Sequence, residues 1–258
     1  NTDRDSYYGP GNDPLKAYGK TTDLTAMGGA QYVHTFDKCF FMPSDLTAGL
    51  EYNRDRLKDN MWGYNRHTDQ MVNIYSAFLQ NEWKNDRWGI LIGGRLDKHN
   101  MVDNVIFSPR ANLRFNPTQN INLRLSYSSG FRAPQAFDED MHIENVGGTV
   151  AMIERAKDLK EEKSQSFSAS ADMYHRFGAF QTNLLIEGFY TRLTDVFVLG
   201  EPYDRGDGIL VKTRSNGPGA KVMGLTLEGK VAYLSILQIQ AGLTLQRSRY
   251  DEPHKWHD

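Results

Sequence analysis

The densest group of metal-capable side chains in this 258-residue sequence is Asp138, Glu139, Asp140, His142 and Glu144. Carboxylates and an imidazole this close together offer the oxygen and nitrogen donors taken by Ca²⁺ or a transition metal. The bland alternative is a solvated acidic loop, or ion pairs with Arg132 and Arg155. It is favoured, because one run cannot show ligands converging from several segments, and the metal, if any, is left unassigned. Arg132 also has two readings: a guanidinium reaching an anionic ligand, or a structural partner of Asp138 or Asp140. No catalytic constellation accompanies them. The histidines His34, His67, His99, His142, His175, His254 and His257 are scattered without an H-E-x-x-H pattern. Cys39 has no matched base, GxSxG is absent, and Gly217-Pro218-Gly219 does not join a strand to a helix as a phosphate loop would. The sequence therefore predicts no enzyme and no cofactor.

Totals narrow the class further. With 30 Lys+Arg against 32 Asp+Glu and a net charge of -2, the chain lacks the basic excess that displaces counterions from nucleic acid. One cysteine cannot build a disulfide framework. A mean hydropathy of -0.60 argues against membrane-spanning helices, but not against a barrel whose strands are half polar. The opening Asn1-Thr2-Asp3-Arg4 has no signal-peptide character, so any such segment is expected to be missing or removed.

The elements that must position these residues are segments in which apolar and polar side chains alternate, and period two is the strand signature. Ten strands are predicted, over 24–36, 46–57, 70–83, 88–97, 107–115, 121–131, 164–176, 180–196, 219–233 and 236–248. In 88–97, Trp88, Ile90, Ile92 and Leu96 share one face, and Gly89, Gly93, Arg95 and Asp97 the other. Connections alternate in length: 84–87, 116–120, 177–179 and 234–235 are short, while 58–69, 98–106, 132–163 and 197–218 are long. The first turn, 37–45, is intermediate. This predicts an all-β, antiparallel up-and-down transmembrane β-barrel, with strands that meet the ~9–11 residues needed to cross a bilayer.

Aromatics beside the short turns (Trp83, Trp88, Phe115, Phe177, Phe180, Tyr233) suit an interfacial girdle. The polar face, which carries Arg95, Arg110, Arg114 and Arg124, suits a hydrated lumen. A soluble sandwich shares the alternation, but strand length and loop asymmetry favour the barrel. With the first strand running inward and the tenth outward, both chain ends are expected on the long-loop side. The ten strands then form an incomplete section of a larger barrel. Inside 132–163, Met152, Ile153, Ala156 and Leu159 with Lys157–Lys163 suggest a short amphipathic turn of helix.

Several stretches resemble the TonB-dependent outer-membrane receptors, in particular the ferric-siderophore, haem and cobalamin branch. Leu123–Pro134 (LRLSYSSGFRAP) is the most specific. Leu159–Ser168 (LKEEKSQSFS) comes next, with Glu161 where the family often has Pro; Leu184–Val196 and Asn216–Glu228 continue in the family's order. Leu46–Asn53 and Gly93–His99 agree upstream, so the resemblance covers residues 24–250. It implies a barrel of about 22 strands around a plugged lumen. Residues 1–258 would then be one partial barrel domain, without the plug, its TonB box or the closing strand.

The resemblance also implies TonB-coupled uptake of a scarce nutrient, an iron chelate or cobalamin-like ligand, across the outer membrane of a Gram-negative cell. TonB, outer-membrane lipid and the ligand would be the partners. Under it, 132–163 with Arg132 and the acidic run becomes the ligand-facing loop. Arg95, Arg110, Arg114 and Arg124 would pair with plug carboxylates or line the path of an anionic chelate. Tyr7, Tyr8, Trp62, Tyr64 and Tyr203 would be loop aromatics able to stack on a ligand. Glycan uptake is the rival within the family; an outer-membrane enzyme barrel and a soluble β-rich adhesion or binding domain are the rivals outside it.

Overall fold

The alternation does become strands in the computed structural model, which describes residues 2–7, 18–62, 66–135, 144–146, 149–206 and 210–252. In chain order these are β1 (Thr2–Tyr7), β2 (Tyr18–Cys39), β3 (Met42–Met61), β4 (Arg66–Lys84), β5 (Trp88–His99), β6 (Ile106–Thr118), β7 (Ile121–Arg132) and β8 (Glu144–Val146). They continue as β9 (Thr149–Arg155), β10 (Glu162–Phe177), β11 (Phe180–Thr194), β12 (Phe197–Leu199), β13 (Tyr203–Asp204), β14 (Leu210–Asn216), β15 (Ala220–Tyr233) and β16 (Leu237–Tyr250). Eleven form one sheet in the order β1-β2-β3-β4-β5-β6-β7-β10-β11-β15-β16, every neighbour antiparallel.

All ten predicted strands are in that sheet, and most run longer than the alternation suggested. β2, β3 and β4 have 22, 20 and 19 residues. At ~3.3 Å per residue they are about 60–70 Å long, far more than the ~25 Å apolar band of a membrane barrel demands. Most of the expected loop 58–69 is therefore ladder, and only 62–65 separates β3 from β4. The sequence hid this because Lys58, Asp59 and Asn60, and then Arg66, His67, Thr68 and Asp69, are polar on both faces. The eleventh strand, β1, pairs antiparallel with β2 (Thr2↔Asp23 to Tyr7↔Tyr18). β2, the first of the predicted strands, runs toward the short turn as expected, and the unpredicted β1 before it runs the other way, toward the long-loop end.

Register decides which side chains share a face, because directly paired residues point the same way. Ile92, Ala111, Tyr127, Phe167, Tyr190 and Met223 form one continuous cross-strand row. One residue along, Gly93, Arg110, Ser128, Ser166, Thr191 and Val222 form the opposite row. The wall therefore has an apolar face and a polar face. The apolar one is bare: Ile92, Leu125 and Leu245 are 57%, 55% and 61% exposed.

Two phenylalanines break the polar face, Phe78 and Phe189, and each lies directly across from a glycine, Gly49 and Gly224. A Cβ would stand 2.3 Å from the Phe78 ring at Gly49 and 2.5 Å from the Phe189 ring at Gly224, so only glycine admits them.

At the short-turn end the chain reverses within two or three residues, with positive φ at Phe40 (61°), Gly178 (58°) and Leu234 (49°). Stacked rings close it: Trp88 on Phe115 at 4.2 Å, Phe41 on Trp83 and Phe177 on Phe180 both at 5.7 Å.

Candidate functional site at the long-loop end

The two long connections build a second sheet, in the order β12-β14-β9-β8 with β13 beside β14. Its centre is a parallel pairing of β9, from one loop, with β14, from the other. Met152 and Val211 are register partners there, 1% and 0% exposed. That burial explains why the expected helical turn does not form. Met152 and Ile153 lie in a strand, and beyond β9 there is a single turn, closed by Leu159 N–H donating to the Ala156 carbonyl at 3.3 Å.

Ala156 N–H, donating to the Arg214 carbonyl at 2.9 Å, extends the parallel seam of the small sheet. Other hydrogen bonds rivet that sheet to the wall, the first from Arg155 Nη1 to the Pro134 carbonyl just past β7 at 2.8 Å. The Asn216 amide makes three bonds. Its Oδ1 accepts from Lys160 N–H at 2.7 Å, and its Nδ2 donates to the carbonyls of Lys160 at 3.1 Å and Asp195 at 2.8 Å. Glu162, directly across from Arg132 on β7, accepts from Phe197 N–H at 2.9 Å, while the Arg132 guanidinium sits 5.5 Å over the Phe197 ring.

His99, wholly buried, ends β5 beneath this layer. Its Nδ1 accepts from Met101 N–H at 3.0 Å, so the neutral ring carries its proton on Nε2, which faces Gln135 Oε1 at 3.3 Å. Burial pushes its pKa below the ordinary value, against the opposing pull of Gln135 and Asp97.

Between wall and loop sheet lies a cavity of about 570 Å³, with Arg66, His67, Arg155, Lys157 and Arg205 among its lining and Glu154 as its carboxylate. Arg66 is 2.8 Å from Asp59, which is 2% exposed and also accepts from Thr21 Oγ1 at 2.6 Å. Arg205 stands 3.6 Å from Glu154. The lining thus carries four fixed cations against Glu154, with Asp59 behind Arg66. Such a surface attracts planar or multiply charged anions, which guanidinium forks bind bidentately.

The residues singled out from the sequence do not gather at one place. Asp138, Glu139, Asp140 and His142 lie outside the described residues, and Glu144 begins β8. Tyr8 and Tyr64 also lie outside them, Tyr7 ends β1, and Trp62 and Tyr203 are 51% and 48% exposed at the long-loop end. Arg95, Arg110, Arg114 and Arg124 share the polar face but not a site. Arg95 is held by the wall's own Glu51 at 2.6 Å and Asp97 at 2.8 Å. Arg114 ties the turn before β5, donating to the carbonyls of Asn85 at 2.9 Å and Trp88 at 3.3 Å. Arg124 faces Arg114 across the ladder, and Arg110 faces Gly93 and Ser128.

Of the cavity cations, Arg155 entered the sequence reading only as an ion-pair partner for the acidic run, and Arg66 and Arg205 not at all. Carrying the period-two parity of 70–83 back to Arg66 would have placed that residue, with Thr68, on the polar face; nothing local marks Lys157 or Arg205.

A wall of long antiparallel strands with one bare apolar face, one polar face and structured loops over one rim defines a section of a large up-and-down β-barrel. The chain belongs to the TonB dependent receptor-like, beta-barrel family, whose match spans residues 1–256. Among solved structures, the siderophore receptor PirA from Pseudomonas aeruginosa is similar at 17% identity and a TM-score of 0.72, covering 91% of this chain and 44% of PirA. The ferric enterobactin receptor PfeA, also from Pseudomonas aeruginosa, is similar at 20% identity and a TM-score of 0.70, covering 91% of this chain and 37% of that one. The FrpB iron transporter from Neisseria meningitidis is similar at 14% identity and 0.65, covering 91% and 36%. Among curated protein sequences none matches. The chain spans less than half the length of the solved receptors it resembles.

Proposed function

We propose that this chain is the barrel portion of an outer-membrane receptor that takes up an anionic iron chelate, driven by TonB through a plug against the polar face. The observation that carries the ligand class is the cation-rich cavity between β4, the β5–β6 turn and the loop sheet. The PirA, PfeA and FrpB likenesses support an iron-related ligand over a cobalamin-like one. A plug is supported by buried polar atoms on the inner face, Asn53 Oδ1, Gln80 Oε1 and Asn122 Oδ1, that have no partner among the described residues. Arg110 and Arg124 would meet its carboxylates.

Glycan uptake is the second reading, and the exposed rings of Trp62 and Tyr203 suit sugar stacking; the charge excess favours the chelate. The test is binding to the full receptor in detergent, monitored by tryptophan fluorescence. A ferric tris-catecholate should bind, and Arg155→Ala with Lys157→Ala should weaken it at least about tenfold, the loss of two charge-assisted contacts. Binding of neutral oligosaccharides alone would overturn the reading.

A further inference from the structure

The apolar face ends in charge. On β11, β15 and β16, Arg192, Lys221 and Arg249 form one cross-strand row, and Arg247 lies in the next row beside Met223 and Tyr190. From this row to the ring pair Phe180 and Tyr233 at the short turns, β15 advances twelve residues, Lys221 to Tyr233. At ~3.3 Å per residue and a strand tilt near 40°, that is about 30 Å along the membrane normal. The side chains between are those of a lipid-facing band: Leu225, Leu227, Val231, Ile239, Leu243 and Leu245, all exposed. The cations therefore stand at the headgroup level of the leaflet on the long-loop side, one bilayer core away from the lower aromatic girdle.

One carboxylate meets them. Asp251 Oδ1 is 2.9 Å from Lys221 Nζ and Oδ2 is 3.6 Å from Arg192. The backbone holds it there, with Asp251 N–H donating to the Gly219 carbonyl at 2.8 Å. A Cβ on Gly219 would lie 2.6 Å from Asp251 Oδ2, so glycine lets the carboxylate approach. Four cations against Asp251 leave three positive charges on a surface whose neighbours below are apolar. Arg192 and Lys221 keep 47% and 34% of their side chains exposed despite the pairing. Aligned cations above an apolar stripe fit a molecule with acyl chains below and phosphates above.

We propose that Arg192, Lys221, Arg247 and Arg249 bind the phosphate groups of an anionic lipid in the leaflet at the long-loop end. Asp251 holds the lysine and the first arginine in place when the lipid is absent.

The proposal rests on the apolar face meeting lipid, so the test separates the two. The full receptor, purified in detergent, is exchanged into a second detergent and examined by native mass spectrometry with lipid A carrying two phosphates, with the same lipid dephosphorylated, and with inorganic phosphate as competitor. Phosphorylated lipid should stay bound and the dephosphorylated form should be lost. Changing all four residues to Gln should cut retention at least about tenfold, given roughly tenfold or less per surface cation. The folded band of the unheated protein in SDS gels, which reports the barrel, should persist. Equal retention of both lipids, or of the phosphorylated lipid by the variant, overturns the proposal; displacement by millimolar phosphate would make it a free-anion site and also overturns it. A receptor that is monodisperse without detergent would instead sink the membrane reading beneath it.

Discussion

The two ends of the wall solve the same problem, reversing the chain, in opposite ways. The short-turn end repeats one device: two- or three-residue reversals, positive φ at the first turn residue of three of them, and stacked rings on the apolar side. Its stacked partners come from neighbouring strands or turns of the one sheet, as with Trp88 and Phe115. The long-loop end repeats nothing. Arg66 finds Asp59 across a hairpin, His99 finds Gln135 from beyond a later strand, and Met152 finds Val211 from a different loop. Closure at one end is generic and built of many small terms, whereas shape at the other depends on single buried partners. Substitutions should therefore be graded by end.

The largest effect is expected from Arg66→Ala, which strands the Asp59 carboxylate with only Thr21 for company. Stability should fall by about 3–5 kcal/mol in denaturant unfolding of the detergent-solubilised protein, and a loss under ~1 kcal/mol would mean water already solvates that pair. In the middle of the wall, Gly224→Leu forces the Phe189 ring aside at a cost of about 1–3 kcal/mol. Gly188→Ala, with no neighbouring atom within 4 Å of a Cβ, serves as the matched control and should be nearly neutral.

A pH titration sharpens the contrast further. His99 has a folded pKa below its ordinary 6.5, so the unfolded or undocked state binds the extra proton first. Its contribution is complete above that value and is lost as pH falls from 6.5 toward the folded pKa. Hydrogen exchange at 133–135 should accelerate in that window, and His99→Gln should flatten the profile. If exchange near the short turn at 85–87 changes in parallel, the two ends are not independent. The smallest effect belongs to Trp88→Leu, where losing the stack on Phe115 should cost about 1 kcal/mol beyond its area and leave chelate binding unchanged.

The same contrast governs what could be read from residues alone. Period-two alternation is a property of neighbours, so ten of the eleven wall strands were legible, and so were the faces of the clearest ones, down to Leu185 and Phe189 lying on the polar side; the faces of 70–83, where polar and apolar residues mix, were not. Turns at 178–179 and 234–236 were legible for the same reason. The parallel β9–β14 pairing joins two loops about sixty residues apart and is announced by no local pattern. The helical reading of 152–163 failed because a buried Met152 facing Val211 looks, in sequence, like one side of an amphipathic turn. Arg95 was placed on the correct face, but its partners are the wall's Glu51 and Asp97, one of which sits two residues away. The cavity gathers Arg66, Pro134, Arg155 and Arg205 from four segments, and convergence of that kind is visible only once the chain is folded.

The Asn216 amide has a consequence for how such receptors diversify. By clasping Lys160 at the root of one loop and Asp195 at the root of the next, one side chain makes the two insertions a single transplantable cassette. A loop exchanged alone with a relative would arrive without its other half of the clasp and lose the parallel seam. Swapped together, with Asn216 included, the pair should carry its ligand preference onto another wall intact.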